Sequence, residues 1–374
     1  MAGRGGAARM RGRERSFPGG RVSAAPNKNK EYLSTAQITI SSGRTKAIIS
    51  MFSQRQLYAP FTYVGMDCFG PFKIKRGRTE LKRYGLIFTC FCSRGIHIEM
   101  LDDLSTDVFI NGLRCFIAIR GSVRSIRCDQ GTNFIGADNE LKLNSKDMNM
   151  DKVKKYLENK QCEFIFNAPH SSHAGGVWER QIRTVRNVLR STIDLCPGRL
   201  DDASLRTLFY EAMAIVNSRP LTPFDLSDPH ADPPLTPNHL LTMKNSMPLP
   251  PPGTFVKEDM YARKRWRRVQ YLMEQFWSRW KKEYLLSLNQ RQRWNTRRRN
   301  LKEGDIVIIK DDMISRMEWP MAVVTEATTD DDGLVRKVKL SVGTKTLDKN
   351  GKRTGALSTL ERPVQKLVLI LESV

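Results

Sequence analysis

Pro60-Phe61-Thr62-Tyr63-Val64-Gly65-Met66-Asp67-Cys68-Phe69-Gly70-Pro71-Phe72 sets a carboxylate inside an apolar, strand-like run. The strand pattern extends from Thr62 to Ile74, and Gly70-Pro71 predicts a bend in it. Residues 84–92 (YGLIFTCFC) are a continuous apolar run of strand length. Residues 95–100 alternate after a short turn, so the three segments predict a β-meander. Ser105-Thr106-Asp107 offers an N-cap for a helix through about residue 119, which Gly121 stops. A fourth strand is expected over 123–128, a helix over 151–159 and a fifth strand over 162–166. The Gly/Ser/His loop at 169–176 leads into a helix on which Trp178, Ile182, Val185, Leu189 and Ile193 form one apolar stripe. Another helix is expected over 203–217. This order of elements predicts an α/β core, a mixed five-stranded sheet with flanking helices.

Beyond the core the texture changes twice. The Pro-rich segment 223–257 is expected to be a linker, and 258–290 to be one long helix in a basic, aromatic segment that extends to residue 300. From 301 to 374 the pattern is all-β. Strands are expected over 305–310, 321–326, 335–342 and 364–371, with a tight turn at Asp332-Gly333 and a hairpin around Asn350-Gly351. Several short strands in that length predict a small barrel. The expected organisation is therefore a disordered basic segment (1–56), a core (57–222), the linker (223–257), the basic helical segment (258–300) and the barrel (301–374).

The chain of 374 residues carries a net charge of +23, which points to a polyanionic partner. The excess lies in two places. Residues 1–30 hold eight Lys/Arg against one Glu, and residues 261–302 hold fourteen against two. No apolar run is long enough to span a bilayer, so the expected polyanion is nucleic acid and not a membrane. The first segment fits a solvated tail, a nonspecific nucleic-acid arm or an import signal equally. Seven cysteines without a CxxC pair predict free thiols in a reducing compartment, and no zinc site.

Three acids fall at positions from which they can converge. Asp67 is inside a strand, Asp129 ends the fourth strand, and Glu179 sits in the first turn of the striped helix. An aspartate between Met66 and Cys68 is costly to bury unless it is paired or holds a cation. Taken singly, Asp129 also fits an ordinary turn and Glu179 an ordinary helix start. Taken together, converging carboxylates repel one another, and divalent cations resolve the conflict. Hard oxygen donors select Mg2+ or Mn2+, and two such ions suit phosphodiester chemistry.

With these residues in view, the chain resembles the integrase of BEL/Pao-type LTR retrotransposons from about residue 57 onward. The likeness is carried by the stretch quoted first, by Lys82-Arg83-Tyr84-Gly85-Leu86-Ile87-Phe88-Thr89-Cys90 and by Arg94-Gly95-Ile96-His97-Ile98-Glu99. It continues in Ile126-Arg127-Cys128-Asp129-Gln130-Gly131-Thr132-Asn133-Phe134 and in His170-Ser171-Ser172-His173-Ala174-Gly175-Gly176-Val177-Trp178-Glu179-Arg180. Phe276-Trp277-Ser278-Arg279-Trp280, Arg298-Arg299-Asn300-Leu301 and Arg362-Pro363-Val364 resemble the family's C-terminal region.

The resemblance implies an RNase H-like core with Asp67, Asp129 and Glu179 as the catalytic, metal-binding triad. It also implies 3′-processing and strand transfer of element DNA, and an SH3-like C-terminal barrel. Two departures stand out. Gln130 follows the second acid where many integrases carry Asn. Residues 1–56 hold no Cys and no His, so the zinc-binding domain that precedes such cores is expected to be absent.

The expected function is a Mg2+-dependent DNA strand transferase working as a homo-oligomer on element ends and target DNA, in the nucleus or otherwise the cytoplasm, with no small-molecule substrate. The alternatives are a catalytically silent, host-derived DNA-binding or chromatin-associated protein, and a simple nuclease. Arg183, Arg186 and Arg190 extend the Glu179 face of the helix and are expected DNA contacts, an ordinary solvated face being the other reading. Arg297, Arg298 and Arg299 are expected to meet phosphate as well. His170 and His173 are expected to be loop residues near the substrate, not a ligand pair.

Overall fold

The structure is a computed structural model that describes residues 58–129, 148–167, 172–196, 200–222, 234–244, 251–288, 299–311, 314–343 and 356–373. Three strands open the core: β1 (Tyr63–Arg76), β2 (Thr79–Cys90) and β3 (Ile96–Leu101). They are followed by α1 (Thr106–Arg120), β4 (Ser125–Asp129), α2 (Met150–Glu158), β5 (Glu163–Asn167), α3 (Ser172–Ile193) and α4 (Asp202–Asn217). The strands form one sheet in the order β3-β2-β1-β4-β5. β2 is antiparallel to both its neighbours, while β4 is parallel to β1 and to β5. The mixed five-stranded sheet expected from the sequence is therefore present.

Both faces of the sheet are covered, which is why residues 84–90 are apolar without alternation. Met66, Cys68, Leu86 and Phe88 pack on one side against Phe109, Leu113 and Phe116 of α1 and Val153 and Leu157 of α2. Phe69, Phe72, Ile74 and Ile87 pack on the other against α3 and α4. The expected bend at Gly70-Pro71 is a bulge within one continuous strand, since the β1–β2 register shifts between Phe69 and Phe72. The inserted residue keeps Phe69, Phe72 and Ile74 on a single face, where plain alternation would have turned Phe72 away. Gly70 supplies the φ of 129° that the bulge needs. Gly85 lies opposite Phe69 because a Cβ there would come within 2.4 Å of that ring.

Helix ends follow local chemistry. Ser105 caps α1 by accepting from Val108 N–H, and Gly121 leaves it with φ 87°. Asp201 caps α4 through Ser204 N–H. At its other end α4 supplies Asn217, whose side chain is bonded to both the N–H (2.8 Å) and the C=O (2.9 Å) of Ile96 on edge strand β3. Asn217→Ala leaves these two buried backbone groups unmatched, with an expected loss of about 2–3 kcal/mol. Urea unfolding followed by tryptophan fluorescence checks this, and a loss below 0.5 kcal/mol (on the order of experimental scatter) refutes the clamp.

The single helix expected over 258–290 is broken. A 3-10 turn (Lys257–Tyr261) precedes α6 (Arg265–Leu288), with Ala262 extended between them; the short α5 (Pro237–Thr242) lies upstream. The break has a side-chain cause. Asp259 accepts from Val256 N–H and from Arg267, and Arg268 donates to the carbonyls of Met260 and Ala262, so charges that would sit on a helix surface satisfy the turn instead. Val269, Leu272, Met273, Phe276, Trp277 and Trp280 of α6 are buried with α3 and α4 in the core. Trp319 from a later loop stacks edge-on against Trp277 at 5.1 Å and Trp280 at 5.8 Å. Arg316 beside it ion-pairs with Glu211 of α4 and Glu274 of α6.

The C-terminal region is a second, wholly antiparallel sheet in the order β10-β6-β7-β8-β9. Its strands are β6 (Ile306–Ile309), β7 (Met321–Thr329), β8 (Val335–Val342), β9 (Ser358–Pro363) and β10 (Leu367–Leu371). β9 and β10 lie at opposite edges, which in a flat sheet would be about 19 Å apart. The three-residue 3-10 turn Val364–Lys366 joins them, and four Cα steps reach at most about 14 Å. The sheet must therefore curl into a barrel, around Val307, Ala322, Val324, Val338 and Leu340. This turn takes the first three residues of the strand expected over 364–371, which begins at Leu367, and the hairpin expected at Asn350-Gly351 lies outside the described residues. Among the described residues no helix is long and apolar enough to cross a membrane.

Candidate active site

Asp67 is at the centre of β1 and only 8% exposed. Its neighbours Met66 and Cys68 point to the α1/α2 face, so alternation turns Asp67 to the α3 face. The parallel register pairs Met66 with Cys128, which places Asp129, the last residue of β4, level with Asp67 on the adjoining strand. Ile126 and Cys128 of β4 pack on the α1/α2 side with Met66 and Cys68 of β1. Glu179 lies in the N-terminal part of α3, seven residues and about two turns before Arg186. A mixed five-stranded sheet in this strand order, with helices on both faces, has one reading. The core is RNase H-like.

The side chains of Asp129 and Glu179 lie outside what the structure describes, as do Gln130, His170, Arg297, Arg298 and the side chain of His173. Asp67 is described. Its Oδ2 accepts from Arg186 Nη1 at 2.8 Å, across from β1 to α3. A carboxylate this buried requires a compensating cation, and here a guanidinium provides it. The neighbouring thiol of Cys68 is driven up to about 12 by its burial, reinforced by the Asp67 charge. It stays protonated on the opposite face and offers no soft ligand. The Asp67 carboxylate on the α3 side is a hard oxygen donor, the type that suits Mg2+ or Mn2+. Among the described residues no three His, Cys, Asp or Glu gather into a metal cluster.

The other basic candidates separate. Ile182, Val185, Leu189 and Ile193 of α3 are buried as the stripe predicts, and Arg183 and Arg190 are exposed. Arg299 is committed elsewhere: its fork grips Asp305 in the barrel at 2.7 and 2.9 Å. That bond accounts for Arg299 structurally.

Sequence reasoning did not find Arg219. It is buried behind the site and donates to the carbonyls of Arg94 (2.5 Å) and Val216 (2.8 Å) and to Gln181 Oε1 (3.1 Å). Burial lowers its pKa to about 10. Gln181 lies two residues past Glu179, so Arg219 fixes the helix segment that carries the third acid against the β2–β3 turn. An Arg immediately before Pro220, where an apolar helix ends, was the available signal.

Residues 264–370 match the model of a family described as a family of unknown function, DUF5641. Among curated proteins nothing matches the chain. Among solved structures, the HTLV-2 integrase catalytic core domain in complex with magnesium is similar in its dimeric form at 14% identity, covering 45% of this chain and 92% of that one with a TM-score of 0.29. Its trimeric form gives the same identity and coverage at 0.28. The simian T-cell lymphotropic virus intasome in complex with PP2A regulatory subunit B56 gamma is similar at 12% identity, over 85% of this chain and 81% of that one, with a TM-score of 0.33. These scores are low, and the RNase H-like fold stands on strand order and register alone.

Proposed function

We propose that the chain is a divalent-metal-dependent DNA strand transferase of the retroelement integrase kind, of the BEL/Pao type its motifs resemble. The observation that carries the proposal is the placement of buried Asp67 level with Asp129 on adjoining parallel strands, facing the helix that bears Glu179. Asp67, Asp129 and Glu179 would hold Mg2+ or Mn2+. Such ions activate an attacking oxygen and stabilise the leaving oxygen of a phosphodiester. The chain's own residues do the rest. Asp67 pairs with Ile87 of β2 and directly follows the Met66–Cys128 pair with β4, which fixes its backbone. Arg183 and Arg190 line the approach along α3 and guide the phosphate backbone toward the acids. The proposal extends to a homo-oligomer acting on element ends and target DNA in the nucleus.

The direct test incubates purified chain with blunt element-end duplexes and supercoiled plasmid in Mg2+. Joined products support strand transfer, hydrolysis without joining supports a nuclease, and neither outcome in Mg2+ or Mn2+ refutes the proposal. A second expectation concerns affinity. Arg183→Ala with Arg190→Ala should weaken duplex binding uniformly across sequences and flatten the log K against log [salt] slope by about 1–2. Fluorescence anisotropy at several salt concentrations measures it, and an unchanged slope removes both residues from the DNA path.

A further inference from the structure

The ion pair at the centre of the site does more than neutralise a buried acid. Asp67 is the proposed metal ligand whose side chain is described, and its Oδ2 is held by Arg186 at 2.8 Å. The Arg186 side chain is 30% exposed and that of Asp67 11%, so the guanidinium stands at the mouth of the site with the carboxylate behind it. A divalent ion bound through Asp67 would lie close to the guanidinium, and the two cations would repel each other. Arg186 also shares a helix side with Arg183 and Arg190, three residues before it and four after, so its alternative direction is along the proposed phosphate path.

We propose that Arg186 is the resident counter-cation of the metal site: it holds Asp67 while no divalent ion is bound, yields Asp67 to the ion, and then turns to a backbone phosphate. This rests on the reading of Asp67 as a metal ligand. Its consequence is reciprocal coupling. Metal entry releases a cation to DNA, and DNA that captures Arg186 clears the site for metal, so each strengthens binding of the other.

The experiment titrates Mn2+ into the full chain, following the free-ion EPR signal, for wild type, Arg186→Gln, Arg186→Lys and Asp67→Asn. Arg186→Gln should bind Mn2+ about tenfold or more tightly than wild type, the scale set by removing a like charge from an ionic site. Arg186→Lys, which keeps a cation, should stay near wild type. In parallel, duplex binding is measured with and without Ca2+. The wild type should gain affinity on adding Ca2+, and Arg186→Gln should lose most of that gain. Equal or weaker Mn2+ binding by Arg186→Gln overturns the inference while leaving the metal site standing. Equal Mn2+ binding by wild type and Asp67→Asn overturns the site itself, and this inference with it. If Arg186→Gln does not fold, the wild type still decides: the Arg186 Nε–H resonance, identified by its absence in Arg186→Lys, should shift on saturation with Mg2+, and an unmoved resonance overturns the inference.

Discussion

Asp67→Asn is expected to abolish metal-dependent cleavage and joining of DNA while the protein remains folded. The substitution preserves volume and an oxygen that Arg186 can still donate to, so the sheet around position 67 is undisturbed. What it removes is the negative charge on a central strand, where no solvent can substitute for it. Losing a charged ligand from a two-metal centre costs several kcal/mol of transition-state stabilisation, a fall of roughly 10^3-fold or more in rate. Removing the charge also leaves Arg186 without its anion. Since that guanidinium is partly solvated, the stability change should stay within about 1–2 kcal/mol. Plasmid nicking and end joining in Mg2+, run beside thermal unfolding, separate the two effects. Wild-type activity in Asp67→Asn would falsify the catalytic assignment.

The largest stability effect is expected far from the site, at Asp305. This carboxylate is wholly buried at the entry to β6. It accepts two bonds from Arg299, one from Lys302 N–H (2.8 Å) and two from Ser373, through N–H (2.8 Å) and Oγ (3.1 Å). One side chain thus ties the first strand of the barrel to the chain after its last strand. Asp305→Ala strands a guanidinium and two backbone donors at once, for an expected loss of about 3–5 kcal/mol. The pH dependence follows from the direction of its pKa. Burial pushes the Asp305 pKa up, but the Arg299 ion pair and the N–H groups of Lys302 and Ser373 outweigh it and hold the carboxyl below its ordinary value. A group depressed in the folded state stabilises fully above its unfolded pKa, about 3.9 for Asp, and loses that contribution as pH falls through the lower folded value. The gap between wild type and Asp305→Ala in urea unfolding should therefore be wide at neutral pH and close in acid below about pH 4. A gap that does not change with pH would show that Asp305 acts by packing rather than by charge.

These two aspartates mark the limits of a sequence reading. Asp67 stood out because it interrupts an apolar alternation, a local pattern with period two that needs no knowledge of neighbours. Asp305 sits between a glycine and an isoleucine like any turn aspartate, and nothing within several residues announces that Ser373 will close on it. The same contrast holds for the long basic helix. Its aromatics are interleaved with charges along the sequence, yet Phe276, Trp277 and Trp280 are buried in the core with α3 and α4. Its break at Ala262 follows from Arg267 and Arg268 folding back onto a turn.

The sequence by itself determined the core elements and their order, the capping segment at residues 105–107 and the stop at Gly121, the mixed sheet, and the placing of Asp67, Asp129 and Glu179 on a strand, a strand end and a helix. Periods of 2 and 3.6 and capping chemistry act over a few residues, so they are written locally. Only the tertiary structure decided that Asp67 pairs with Arg186, that Arg219 braces the Glu179 helix, that Arg299 serves Asp305, and that β9 and β10 bring the second sheet round into a barrel. Those outcomes join residues separated by tens of positions. Their energies come from excluding water around groups that share no local pattern, and that exists only once the layers have packed.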